Sequence, residues 1–129
     1  MITYEQLLDR VIADGIAEVK EAYGDPSEHH QRDGAIEGFE ACRGKTPDQI
    51  VILWSTAERE AALMRDARKS SDQDIKDYWR CRYKALQIEW CLNVLSVGLQ
   101  RPLLAHLPTS RAAMKYAEIV GVAGQEASL

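Results

Sequence analysis

Arg82, Glu89 and Asn93 are the residues of this chain best equipped for chemistry. A guanidinium offers a planar fork of donors to a carboxylate, phosphate or carbonyl group, and a nearby carboxylate and carboxamide can complete such a site. At about 100° per residue, Arg82, Glu89, Asn93, Ser96 and Gln100 fall within a narrow arc of one helix face. Trp79, Leu86, Trp90 and Val97 border the arc on one side, and Tyr78, Ala85, Leu92 and Leu99 on the other. Arg80, Lys84 and Gln87 lie opposite and read as the solvent face. A polar row between apolar flanks is expected to point inward, where charge must be paired. Arg43, at the end of an earlier helix, is the natural third member. Arg43, Arg82, Glu89 and Asn93 are therefore expected to form either a ligand-binding pocket or a buried polar network that fixes helix register without any ligand. If the Arg82–Glu89 pair is buried, Glu89→Ala should cost about 3 kcal/mol or more.

Other chemistries find less support. Glu37 and Glu40, with Asp74 and Asp77, are acidic pairs at i, i+3, the geometry by which two facing helices hold a hard divalent cation. They resemble the paired carboxylates of all-α nucleotide pyrophosphohydrolases. That resemblance implies Mg²⁺-dependent nucleotide hydrolysis, or nucleotide binding, as the alternative function. Asp74 and Asp77 read equally well as first-turn acids, and no companion basic motif follows them. His29-His30 with Asp33 and Glu37 suggests a metal site, but the pair sits in an exposed first turn without a third ligand at firm spacing. Cys42 and Cys91 have no histidine on their helices, no Gly-x-Ser-x-Gly turn occurs, and no glycine-rich loop is present to cradle a phosphate. No catalytic residue and no cofactor are expected.

The elements that position these side chains are all helical. Thr3 and Gln6 form a capping box, after which Leu7, Leu8, Val11, Ile12, Ile16 and Val19 recur at helical spacing up to Tyr23, with Gly24 as a left-handed cap. Asp25-Pro26-Ser27-Glu28 restarts a helix that carries Ile36 and Phe39 inward and stops at Gly44. In it, Gly38 permits a close helix approach. Thr46-Pro47-Asp48-Gln49 repeats the start signal. The third helix turns Ile50, Val51, Trp54, Ala57, Ala61 and Met64 to one side, and Ser70-Ser71-Asp72 breaks it. Asp77 to Gln100 follows as a long aromatic helix, stopped by Arg101-Pro102. Its second half, Cys91 to Leu99, is apolar enough to need cover on all sides. Leu103 to Leu107 is an apolar connector. A last helix runs from about Ser110 to Val120, with Gly121 past its end and Val122 as a hydrophobic cap. It resembles the first half of a helix-turn-helix, but too few residues follow to build a recognition helix. No alternating pattern indicates a strand. The expected fold is all-α, a single domain (1–129) forming an irregular bundle of about five helices around the long fourth one.

Composition sets outer limits. The 129 residues suit one core, and the net charge of −4 argues against nucleic acid as a partner. Arg65, Arg68 and Lys69 cluster where they complement a helix C-terminus. No run of 18 apolar residues and no charged-then-apolar leader occur, so a membrane partner is not expected. Three cysteines, an odd number, read as reduced and buried side chains of a cytoplasmic protein.

Gly38-Phe39-Glu40-Ala41-Cys42-Arg43-Gly44, Asp77-Tyr78-Trp79-Arg80-Cys81-Arg82 and Glu89-Trp90-Cys91-Leu92-Asn93-Val94 together resemble small helical proteins of tailed phages and prophages that carry no defined activity. The resemblance runs from about residue 30 to the C-terminus. It implies a non-enzymatic accessory protein acting in the host cytoplasm by protein–protein contacts, on a host or defence protein or as a homodimer.

Overall fold

The computed structural model describes residues 2–25, 28–67, 71–105, 109–122 and 127. They form five helices and no strand: α1 (Tyr4–Ala22), α2 (His29–Ala41), α3 (Pro47–Ala67), α4 (Asp72–Leu99) and α5 (Arg111–Ile119). This is the all-α bundle the periodicity predicts, with α4 packed against each of the other four helices.

Local signals set most boundaries. Thr3 caps α1, its hydroxyl accepting from the Gln6 amide while the Gln6 side chain accepts from the Thr3 amide. Thr46 and Gln49 make the same reciprocal pair at α3. Ser71 and Ser110 cap α4 and α5. Past α5, Gly121 takes a left-handed φ of 80°, Val122 is buried, and its amide reaches back 2.9 Å to the Ala117 carbonyl. Two expected ends differ. Tyr23 closes α1 on the Val19 carbonyl, and Gly24 is not left-handed. α2 begins at His29, later than the Asp25 signal, and Glu28 ahead of it makes no side-chain cap bond. α4 ends at Leu99, as Arg101-Pro102 predicts, with Gln100 left-handed at φ 54° and Arg101 bonded back to the Ser96 carbonyl. Pro26, Ser27, Arg68, Lys69, Ser70 and Leu107 lie outside the described residues.

Two glycines set the main packing. A Cβ on Gly34 would stand 2.2 Å from the Arg80 carbonyl oxygen, and one on Gly38 would stand 2.5 Å from that of Lys84. With no side chain at either position, α2 lies directly on the α4 backbone. Residues 34 and 38 meet 80 and 84 in the same order, so α2 and α4 run parallel. Leu7 against Gly98 and Tyr23 against Tyr83 show that α1 runs opposite to α4. The fully buried Phe39 ring fills the junction of α1 and α2, pressed against Gly15. Ile88, Cys91, Leu92, Val94, Leu95 and Leu99 complete the core from α4, which meets the expected need to cover its apolar second half. Cys42 and Cys91 are buried free thiols, and Cys81 is a half-buried one. A hydrogen bond with Cys42, together with burial, holds the Cys91 thiol well above its ordinary pKa. No described helix is long and apolar enough to cross a membrane.

Candidate functional site: the open half of the α4 face

The orientation expected for α4 is reversed in the structure. Cys91, Leu95 and Gly98 share an arc with Arg80, Lys84 and Gln87, so the expected solvent face is the one that α2 covers. The long side chains of Arg80 and Lys84 run past the two glycines and place their charged heads on Glu37, at 2.9 and 3.4 Å. The polar stripe therefore points away from the core. No polar or charged residue is buried among the described residues.

The four candidate residues do not assemble into one network. Arg43 is exposed and holds Glu40, one turn back on its own helix, at 2.9 Å. Arg82, with its side chain 38% exposed, bonds to Glu58 of α3 at 3.3 Å. Asn93 donates to the Glu89 carbonyl and accepts from the Ser110 amide, so it ties α5 to α4. Glu89 is half-buried. Ser96 donates to the Leu92 carbonyl and accepts from the Leu103 amide, while Gln100 is an exposed cap. The expected cost of Glu89→Ala falls accordingly, from that of a broken buried pair to below about 1 kcal/mol. A thermal melt should show little change, and a loss of several degrees would restore the Arg82–Glu89 pairing.

The proposed metal carboxylates are also divided among other tasks. Glu37 serves Arg80 and Lys84, and Glu40 serves Arg43. Asp74 accepts from the Ser71 cap, and Asp77 accepts from Gln73. Among the described residues no group of three or more His, Cys, Asp or Glu is placed to hold a metal.

What the outward arc of α4 does carry is an aromatic surface that is covered along only half its length. Over the C-terminal half, Tyr116 of α5 stacks edge-on against Trp90 at 6.0 Å, and Ala113 and Ala117 let the helix approach closely. Tyr116 also donates to Asp14 of α1 at 2.7 Å. Burial alone would raise the Asp14 pKa, but hydrogen bonds from Arg10 and Tyr116 outweigh it and hold the carboxyl below its ordinary value. A depressed carboxyl adds stability above its unfolded pKa, near 3.9, that is lost as pH falls through the folded value. Tyr116→Phe should therefore raise the Asp14 pKa, as read by NMR titration of its carboxyl carbon. An unchanged titration would show that the phenol contributes nothing.

Over the N-terminal half α3 borders the arc at Arg82 through Glu58, and beyond that edge the arc is open. Ile75 and Trp79 are 47% and 37% exposed. Tyr78, Trp79, Tyr83 and Tyr23 form a continuous ring row with centroid spacings of 5.2, 6.1 and 5.9 Å. Burial and a hydrogen bond with Tyr83 push the Tyr23 phenol up to about 12. The row leads into a groove of about 370 Å³ between α1 and α4, lined by Glu18, Val19, Ala22, Tyr23, Gln87 and Trp90 among others. With the polar arc expected to point inward, the Trp79 and Tyr78 that flank it would be covered; the reversed facing of α4 is what brings Trp79 to the surface.

A larger cavity of about 720 Å³ lies at the other end of α1, beside the α2–α3 turn. Arg43, Lys45 and Arg101 line it together with Glu5, Asp9 and Asp48, so it favours neither sign of charge. The capping box occupies the amides of Thr46 and Gln49 at the start of α3, and Pro47 has none to offer. Compared with known protein families, curated proteins and solved structures, the chain matches none of them.

Proposed function

We propose that this chain is a non-enzymatic accessory protein that works by protein contacts, with the open half of the α4 face as its contact surface. The observation that carries this reading is the aromatic row from Tyr78 through Trp79 and Tyr83 to Tyr23, half-buried except where it surfaces at Trp79 beside the exposed Ile75, with Arg82 one turn further along α4. Trp, Tyr and Arg are the residue types that concentrate binding energy at interface centres. The resemblance to small proteins of tailed phages makes a host or defence protein in the cytoplasm the target we favour over a second copy of the chain.

The test is affinity capture from cells of the source, with wild type and Trp79→Ala immobilised side by side. Loss of a central aromatic should weaken the specific partner by about 30-fold or more, the equivalent of about 2 kcal/mol. Trp79 is 37% exposed and stacks on Tyr78 and Tyr83, so the variant should also melt lower, and capture is compared at a temperature where both proteins are folded. An identical set of captured proteins on both surfaces would refute the assignment.

A further inference from the structure

The groove between α1 and α4 is filled along one part of its length and empty along the rest, and the filled part shows what fits. There, α5 lays Ala113 and Ala117 inward, four residues apart and fully buried. Between them Tyr116 sends its hydroxyl to Asp14 on the α1 edge and its ring to Trp90 on α4. Ala112, at the start of α5, borders the empty part, which then continues between the same two helices as far as Tyr23. Gly15 and the Phe39 ring line it, so no side chain rises from α1 at that point. Its α1 edge again carries a carboxylate, because Glu18 lies one turn beyond Asp14 and lines the groove. The volume, about 370 Å³, sits at the lower end of the ligand-sized range of about 300–1,000 Å³. That suits the inward side chains of a docked helix better than a whole cofactor.

We propose that the empty length of the α1/α4 groove seats a helix of the partner protein that repeats the α5 pattern. The pattern is two small residues four apart, with a hydroxyl or basic donor between them directed at Glu18. This proposal rests on the protein-contact reading above and specifies its partner. The groove is continuous with an interface the chain already makes within itself, so helix-in-groove recognition needs no rearrangement of α1 or α4. The carboxylate edge selects for a donor and against an acidic helix.

A synthetic copy of residues Thr109 to Gly121 is the probe, cross-linked through the exposed positions of Met114 and Glu118 so that so short a segment stays helical. It carries a fluorophore, and its binding to the full chain is read by anisotropy. Saturable binding is expected. Ala22→Trp, an exposed position on the groove wall, should weaken it about tenfold or more with the melting temperature unchanged, and Glu18→Lys should do the same. Absence of saturable binding overturns the proposal. So does binding that ignores Ala22→Trp, since the peptide would then be displacing α5 from its own seat. Sedimentation of the unliganded chain completes the test. A dimer that Ala22→Trp dissociates would give the groove to a second copy and overturn the assignment to a different protein. Should the peptide fail while capture stays Trp79-dependent, the contact surface stands and only the helical partner falls.

Discussion

Gly34→Ala should destabilise the protein by about 2 kcal/mol, the opposite of what alanine does in an ordinary helix. Replacing a mid-helix glycine with alanine gains about 1 kcal/mol from backbone entropy. Here the new methyl would meet the Arg80 carbonyl oxygen at 2.2 Å and the Arg80 Cα at 2.8 Å. These are backbone atoms of a long helix, so no rotamer change relieves the contact and α2 must move outward. Overpacking costs about 1–3 kcal/mol or more, and a backbone obstacle puts this case at the upper end or beyond. Gly38→Ala meets the Lys84 carbonyl oxygen at 2.5 Å. The double variant should therefore lose much of a total stability that for most domains is only about 5–15 kcal/mol. Gly24→Ala is the control, since nothing lies within 4 Å of its Cβ position. Urea midpoints decide the matter. A Gly34→Ala midpoint at or above that of wild type would mean that α2 does not sit on the α4 backbone.

Phe39→Ala carries the second large effect, about 3–5 kcal/mol. The ring is the largest of the fully buried side chains and spans the junction of α1 with α2. Its fit is tight on one side, because a Cβ on Gly15 would lie 2.2 Å from the Phe39 Cζ. Gly15→Ala should therefore be costly in the wild type and much cheaper beside Phe39→Leu, since the shorter side chain vacates that contact. Denaturation of the two single variants and the double variant measures the coupling directly. Additivity within about 0.5 kcal/mol would show that the two positions do not share the space.

The helix termini were legible because their signals are local. Thr3 with Gln6, Thr46 with Gln49, and Gly121 with Val122 each specify a backbone arrangement within a few residues, whatever lies elsewhere in the fold. The facing of α4 was not legible by the same means. Arg80, Lys84 and Gln87 look like a solvent face when α4 is read alone, and the polar stripe then has to face the core. What reverses it lies on another helix, where Gly34 and Gly38 let α2 lie on the α4 backbone between those long side chains, whose charged heads stay at the surface on Glu37. Gly38 did read as a point of close approach. Gly34, four residues earlier on the same face, completes the signal, and the pair would have pointed to a flat helix awaiting another backbone. Arg43 was misplaced for a similar reason. Its partner is Glu40, an i, i+3 neighbour on its own helix, and local pairs of this kind compete with any distant one.

The parallel seam of α2 on α4 also bears on how the chain must be assembled. Its two helices are not neighbours in sequence, and all of α3 lies between them. Gly34 cannot meet Arg80 until the loop carrying α3 has closed, so the contact that defines the bundle is bought with loop entropy before it returns any packing. α3 itself leans mainly on α4 and can settle after that seam has formed. A bundle whose successive helices simply zip together in order escapes this requirement. In this chain the decisive encounter is between distant segments, and two missing side chains make it possible.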